Sequence, residues 1–428
     1  PFFFLMIRRP PRSTLERASA ASDVYKRQMI YKVTTTRKPT HTGIDAPRTA
    51  AYHTSSPNSP SLSTDSVTVK RIHNFSAGPA VLPEPVLSAA REHLLSLGET
   101  GIGILEHSHR GDTFAEVLSS AETRIRRLAN IPDDVAVLFL QGGASLQFAM
   151  VPANLRPANT IADYIISGTW SLKAMEAAQC DGAVHVASSS QDSVFRSLPG
   201  PPQCSDSPAY LHYTSNNTIA GTQFSTPPNP PSGVPLVCDA SSDIFSRPID
   251  LNTHDLVYAG AQKNLGPAGL TLVMVRRTLL DTAADSLPAI NRYITHANAG
   301  SLYNTPPVFS IFVTNLVLEW LEEQGGLSAI AERNRTQASR LYHRIDASRV
   351  LSGRADISAR SLMNVVFSAG SQSADDRFVE HCHRAGLVGL RGHRSVGGLR
   401  ASLYNAQPDA AVDRLLEVID AFEAEQAE

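Results

Sequence analysis

The stretch YAGAQKNLGPAGLTLVMV, residues 258–275, decides how this chain is read. Tyr258, Ala259 and Gly260 close the apolar run LVYAG (256–260), and LTLVMV (270–275) is a second such run. Between them Lys263 is followed by Asn264, Leu265, Gly266 and Pro267, a sequence that ends a strand and turns the chain. The reading is strand, loop, strand, with an amine just past the carboxyl end of the first strand. A lysine in water is protonated at neutral pH. Partial burial lowers its pKa and makes it a nucleophile suited to a Schiff base with an aldehyde.

Working outward, VPLVCDASSDIFSRPID (234–250) ends a similar strand in Asp239, twenty-four positions before Lys263. A carboxylate in that place can hold a proton on a pyridine nitrogen, which turns pyridoxal phosphate into an electron sink. The pair points to a cofactor enzyme acting on amines. Further apolar runs alternate with helical segments: VAVLFL (135–140), TIADYIIS (160–167), AVHVA (183–187), YLHYT (210–214) and PLVCD (235–239). Runs apolar on both alternating faces belong to strands covered on both sides, hence to a mostly parallel sheet.

Helices are expected over PVLSAAREHLLSLGE (85–99) and FAEVLSSAETRIRRLAN (114–130), where Phe114, Leu118, Ala121, Ile125 and Leu128 recur at helical spacing. After about residue 308 two more follow, VFSIFVTNLVLEWLEE (308–323) and LSAIAERNRTQASRLYHRI (327–345). MNVVFSA (363–369), a helix over 374–386, GLRASLYN (398–405) and an amphipathic helix from Pro408 complete the chain. The expected fold is α/β: a large domain with a mostly parallel seven-stranded sheet, residues 91–324, and a smaller α+β domain from 71–90 and 325–428.

A net charge of −2, 42% hydrophobic and 18% charged residues give no basic excess for nucleic acid. The longest apolar run at the start, FFFLMI (2–7), is far too short to span a membrane. Four cysteines (Cys180, Cys204, Cys238, Cys382) show no paired spacing, which fits a reduced interior. His381, Cys382 and His383 are sequence neighbours on an expected helix and point to different faces, and His107 with His109 has no third ligand, so no metal site is read.

Residues 1–28, with FFFLMIRRPPRSTL and SDVYKRQ, resemble translated sequencing-adapter sequence and read as a non-native leader, with Met29 as a start. Residues 29–70 are rich in Ser, Thr and Pro and cannot make a core. They read as a disordered leader or an organellar transit peptide, so the location is cytoplasmic, or a plastid or mitochondrion in the second case.

Ligands of open parallel sheets sit beyond the carboxyl ends of the strands. There VAVLFL runs into Gln141, Gly142, Gly143, Ala144 and Ser145, and a glycine turn opening a helix offers free N–H groups to a phosphate. IISGTW puts Trp170 after a strand, able to stack on a pyridine ring, and YLHYTSNNT puts Thr218 on the same rim. Phosphate loop, aromatic, Asp and Lys thus follow in order along successive strand ends.

With these residues placed, NFSAGPAVLP (74–83), EHSHRGDTF (106–114), CDASSDIFSRPID (238–250), YAGAQKNLGPAGLT (258–271), NAGSLYNTPP (298–307) and GHRSVGGLRASLYNA (392–406) resemble the phosphoserine aminotransferases, in the class V, fold-type I group of pyridoxal phosphate enzymes. The resemblance runs from about Asn74 to about Phe422. It implies Lys263 as the lysine that binds the aldehyde, Asp239 as the acid at the pyridine nitrogen, Trp170 as the stacking ring and Thr218 as partner of the 3-hydroxyl. Ala144, Ser145 and Gln262 fall at phosphate-binding positions. Asn304 and Thr305 match a pair that reaches the cofactor phosphate from a partner subunit, which implies a homodimer with shared sites. Ser145 stands where many bacterial relatives have Arg, and Ala77 replaces a serine of some relatives.

A phosphorylated amino acid needs at least two cationic clamps, and arginine's planar fork suits both of its anions. The resemblance gives Arg400 the α-carboxylate, and Arg110 with His109, His393 and Arg394 the phosphate or the distal carboxylate of glutamate. The reaction implied is ping-pong. L-glutamate leaves its amino group and departs as 2-oxoglutarate; 3-phosphohydroxypyruvate then takes the group and leaves as O-phosphoserine, in serine biosynthesis. 4-Phosphohydroxythreonine, in vitamin B6 synthesis, is a second substrate the family allows. A cysteine desulfurase would need a cysteine in an exposed glycine-rich loop, a glyoxylate aminotransferase would not need the phosphate cluster, and a non-catalytic scaffold would lack Lys263 or Asp239.

Overall fold

The computed structural model describes residues 71–426. The expectations for 1–28 and 29–70 lie outside the described residues. Seven strands form the main sheet: β1 (Val135–Leu140), β2 (Ala162–Ile166), β3 (Val184–Ser189), β4 (Leu211–Thr214), β5 (Leu236–Asp239), β6 (Leu256–Gly260) and β7 (Thr271–Arg276). They are ordered β1-β7-β6-β5-β4-β2-β3. β7 runs antiparallel to both neighbours and the other pairings are parallel. The expected mostly parallel sheet is therefore present, with its one reversed strand following directly from the tight loop after Lys263.

The alternation in β1 shows why these runs become central strands. Val135, Val137 and Phe139 pack into one core layer with helices α2 (Asp112–Ala129) and α6 (Val308–Glu323). Ala136, Leu138 and Leu140 pack into the opposite layer with α3 (Gly143–Leu155), α4 (Thr169–Gln179) and α5 (Tyr293–Asn298). Each fully buried side chain of this size contributes roughly 1.5–3 kcal/mol. β3 is different: it lies at the sheet edge, is only partly buried and exposes Val186, consistent with its polar His185, Ser188 and Ser189.

One helix is shorter than its periodicity predicts. The segment expected over 85–99 is helical only as α1 (Glu84–Glu92). The His93 carbonyl accepts the Ile104 N–H at 3.0 Å and the Leu97 N–H reaches the Ile102 carbonyl at 2.8 Å, so the chain folds back on itself. Backbone packing of Gly103 against Leu94 closes that turn. Tertiary pairing here overrides helix propensity.

Beyond α6, α7 (Gly326–Asp346) leads to an antiparallel sheet, β8 (Ser352–Gly353), β9 (Asn364–Ser368) and β10 (Leu399–Ser402), in sequence order, with α8 (Gln372–Arg384) between β9 and β10 and α9 (Asp409–Glu425) after them. Phe367, Phe378, Leu399, Leu415 and Phe422 fill a core of their own. Phe75 joins that core, and His73–Asn74 pairs with Leu387–Val388, so the start of the described chain belongs with its end.

Candidate active site

Register levels the ends of two central strands. Thr214 lies opposite Asp239, and Asp239 opposite Tyr258, so β4 and β5 end level while β6 runs on to Gly260. The loops after these strands border a cavity of about 430 Å³ lined by Lys263, Asp239, Trp170, Thr218, Gln262, Ala144, Ser145, His393 and Arg400. The lysine and the aspartate thus open into one space rather than into separate ones.

Glycine builds the corner of the cavity where α3 begins. Gly142 has φ +88 and Gly143 φ +64, and a Cβ on Gly142 would stand 2.6 Å from the Leu146 side chain. α3 begins there, with the Gly143 N–H donated to Thr271 Oγ1 at 2.8 Å. Ala144 and Ser145 follow in the first turn, where N–H groups have no intrahelical acceptor. Those N–H groups do not depend on the side chain at 145, so Ser145 in place of Arg leaves them unchanged. Ala77, the other departure, lines the cavity, and its carbonyl accepts the Tyr404 hydroxyl at 2.7 Å.

Lys263 is half-buried, and burial lowers its pKa to about 8, with Arg400 acting in the same direction and Asp239 against. The Asp239 carboxylate is buried and accepts the Ser241 N–H at 3.0 Å. Its pKa is raised, by burial first, against the Ser241 bonds and the Lys263 charge. A cation placed against that carboxylate would return it to the ionised form. Thr214, level with Asp239, has a buried hydroxyl oxygen without a partner and also faces the cavity.

Trp170 stands at the start of α4, with its ring centroid 5.9 Å from Lys263 Nζ. Its indole N–H donates to Thr218 Oγ1 at 3.0 Å, and the Thr218 carbonyl accepts Arg400 Nη1 at 2.8 Å. Arg400 comes from β10, in register with Val366 of β9. A seam joins that sheet to the cavity floor: Asn216 donates to Asn364 Oδ1 at 2.8 Å, and Asn364 donates to Ser402 Oγ at 3.0 Å. His393 lies in the turn before β10, with Nδ1 2.7 Å from Ser395 Oγ. Its pKa is lowered by burial and then by Arg400, Arg394 and Lys173, so positive charge gathers at the mouth.

Five of the expected residues do not line this cavity. Arg110 is exposed, and His109 is half-buried with an unpartnered Nε2. Arg394 is exposed beside His393. Asn304 donates to Gln141 Oε1 at 3.0 Å and borders a neighbouring hollow with Leu146 and Met150, and Thr305 follows it. Sequence reading missed Thr214, at the end of β4, and Asn216, Ser241 and Ser242 beyond the strand ends, which carry no local signal until register brings them to the cavity. It also missed Lys173, whose Nζ is 4.9 Å from the Trp170 ring centroid. Its i+3 spacing from Trp170 on a helix was the available signal.

The model of the aminotransferase class-V family matches residues 72–415. The chain is 47% identical over 358 residues to a phosphoserine aminotransferase of Herpetosiphon aurantiacus, covering 83% of this chain and 99% of that relative. It is 49% identical over 356 residues to one of Desulfosudis oleivorans, covering 83% and 98%. Among solved structures, the phosphoserine aminotransferase from Bacillus circulans subsp. alkalophilus superposes with a TM-score of 0.82 at 46% identity, covering 83% of this chain and 99% of that one. The pyridoxal phosphate-bound phosphoserine aminotransferase from Trichomonas vaginalis gives 0.79 at 35% identity, covering 82% and 100%. The chain belongs to the phosphoserine aminotransferases, within the class-V aminotransferase family.

Proposed function

We propose that this cavity binds pyridoxal 5′-phosphate and moves the amino group of L-glutamate to 3-phosphohydroxypyruvate, reversibly giving 2-oxoglutarate and O-phospho-L-serine. The observation that carries the reading is the convergence of Lys263, Asp239, Trp170, Thr218 and Arg400 on one cavity. The donor set fits the cofactor: N–H groups of Ala144 and Ser145 for its phosphate, the flat face of Trp170 for its ring, and a buried carboxylate for its ring nitrogen.

When bound, the cofactor supplies an aldehyde that carries the amino group and a ring that withdraws electrons. Lys263 Nζ would hold the cofactor's aldehyde at rest and, once freed by the incoming amine, would carry the proton from substrate Cα to the cofactor's aldehyde carbon, a task its lowered pKa suits. Asp239, ionised against the ring nitrogen, would keep that nitrogen protonated. Arg400 takes the α-carboxylate. The Ser395 N–H points at His393 Nδ1 at 3.3 Å, so Nδ1 accepts and the proton lies on Nε2, free to donate to a distal anion. Arg394 and the Lys173 charge support that end. Among the residues lining the cavity there is no cysteine, which supports amino transfer over desulfuration.

Arg110, His109, Asn304 and Thr305 point to a homodimer, since none of them lines the cavity of its own chain and each would reach substrate or cofactor phosphate from a second copy. Within one chain, residues 91–324 would form the cofactor domain, and 71–90 with 325–428 the smaller domain bearing His393, Arg394 and Arg400. No helix among the described residues is long and apolar enough to cross a membrane. The enzyme would act in the cytoplasm, or in an organelle if residues 29–70 are a transit peptide.

A half-reaction screen tests the function. Glutamate should convert the bound cofactor to its amine form, and 3-phosphohydroxypyruvate should reverse this. Conversion by alanine or cysteine in place of glutamate would overturn the substrate assignment.

A further inference from the structure

Trp170, Thr218 and Arg400 form a hydrogen-bonded row inside the cavity, and this row does more than place a flat ring. The indole N–H can only donate, so Thr218 Oγ1 is the acceptor of their 3.0 Å bond. The Thr218 main chain is held too, because its carbonyl takes Arg400 Nη1 at 2.8 Å. Thr218 is 3% exposed, and water therefore does not compete freely for its hydroxyl. With backbone anchored and one lone pair engaged, the remaining freedom is the direction of the hydroxyl proton. None of the hydrogen bonds that Thr218 makes uses that proton.

We infer that Trp170 is a positioning residue whose indole N–H fixes the Thr218 hydroxyl as a donor toward the ring oxygen of the bound cofactor. This rests on the cofactor reading above and goes beyond the stacking role of Trp170. A donor bonded in turn by another donor is polarised and strengthened. At the ring oxygen it draws off negative charge that would otherwise hold a proton at the neighbouring Lys263 nitrogen. The row therefore keeps that nitrogen's proton loosely bound. Without the indole N–H the hydroxyl rotates away, the ring oxygen keeps its charge, and the proton at nitrogen is released at higher pH.

The test is a pH titration of the visible band of the full-length holoenzyme, for wild type, Trp170→Phe, Thr218→Val and the double variant. Phenylalanine keeps a flat face and removes only the N–H; valine keeps threonine's shape. Thr218→Val should raise the midpoint by about one pH unit and Trp170→Phe by about half a unit, the loss of one ordinary hydrogen bond and of part of one. In the Thr218→Val background the tryptophan substitution should add nothing. An unmoved Trp170→Phe midpoint, or the same shift in both backgrounds, overturns the inference and leaves stacking as the whole role. Should Trp170→Phe fold poorly by circular dichroism, replacing Trp170 with benzothienylalanine, which keeps the indole shape and lacks the N–H, gives the same readout: an unmoved midpoint overturns the inference. A wild-type chain that shows no cofactor band at all defeats the cofactor reading itself, a distinguishable result.

Discussion

A Cβ built on Gly78 would stand 3.4 Å from both Cγ and Cε of Lys263, so the Ala77–Pro79 loop forms the wall along the lysine stem. Gly78 has φ +145, a conformation that side chains rarely adopt. Gly78→Ala is expected to cost about 1–3 kcal/mol of stability, read as a lower urea midpoint, with the space at the lysine itself nearly unchanged. An unaltered midpoint would show that the loop relaxes at no cost.

Burial of that stem has a pH signature. Only the neutral amine attacks an aldehyde, and the Lys263 pKa is lowered to about 8. Protonation therefore blocks attack below that value and deprotonation permits it above. Band formation on mixing cofactor-free protein with pyridoxal phosphate should accelerate between pH 7 and 9, half-maximal near 8, in stopped-flow absorbance. A midpoint near that of free lysine would refute the burial effect.

Lys263→Ala should eliminate the borohydride-sensitive visible band and turnover together, and retention of the band would remove Lys263 from its role. Asp239→Asn should still form the band, because asparagine cannot hold the ring proton but leaves the lysine intact. Its half-reaction rate should fall by on the order of 10²–10³, the usual loss when a buried electrostatic partner is removed.

Arg110→Ala should load cofactor normally and fail with the phosphorylated keto acid. Mixed and re-equilibrated with Lys263→Ala, it should regain about a quarter of wild-type activity, because half of a symmetric dimer population is mixed and each mixed dimer has one complete site. No recovery would mean that Arg110 does not serve a partner's cavity.

The central strands were readable because both faces of each run are apolar, as in β1, where every residue is buried. Lys263 and Asp239 were readable because each terminates such a run. The end of α1 was not, since the bonds from His93 to Ile104 and Leu97 to Ile102 that stop it join positions with no local signal. Thr214 and Ser241 escaped for the same reason: strand register, not neighbouring sequence, puts them beside Asp239. Arg110 carries a motif that was legible, yet its distance from its own chain's cavity emerges only in three dimensions.

The Asn216–Asn364–Ser402 seam acts as a weld. Asn216 and Asn364 are each about 1% exposed or less, so swinging β10 away from the ring floor would strand amides in a dry interior. Each stranded group costs about 1–3 kcal/mol. Arg400 is thereby pinned at a constant reach from Lys263, as the jaw of a fixed gauge is, and under the proposed function discrimination by substrate length would fall to the glycine-flanked turn that carries His393, between Gly392 and Gly397.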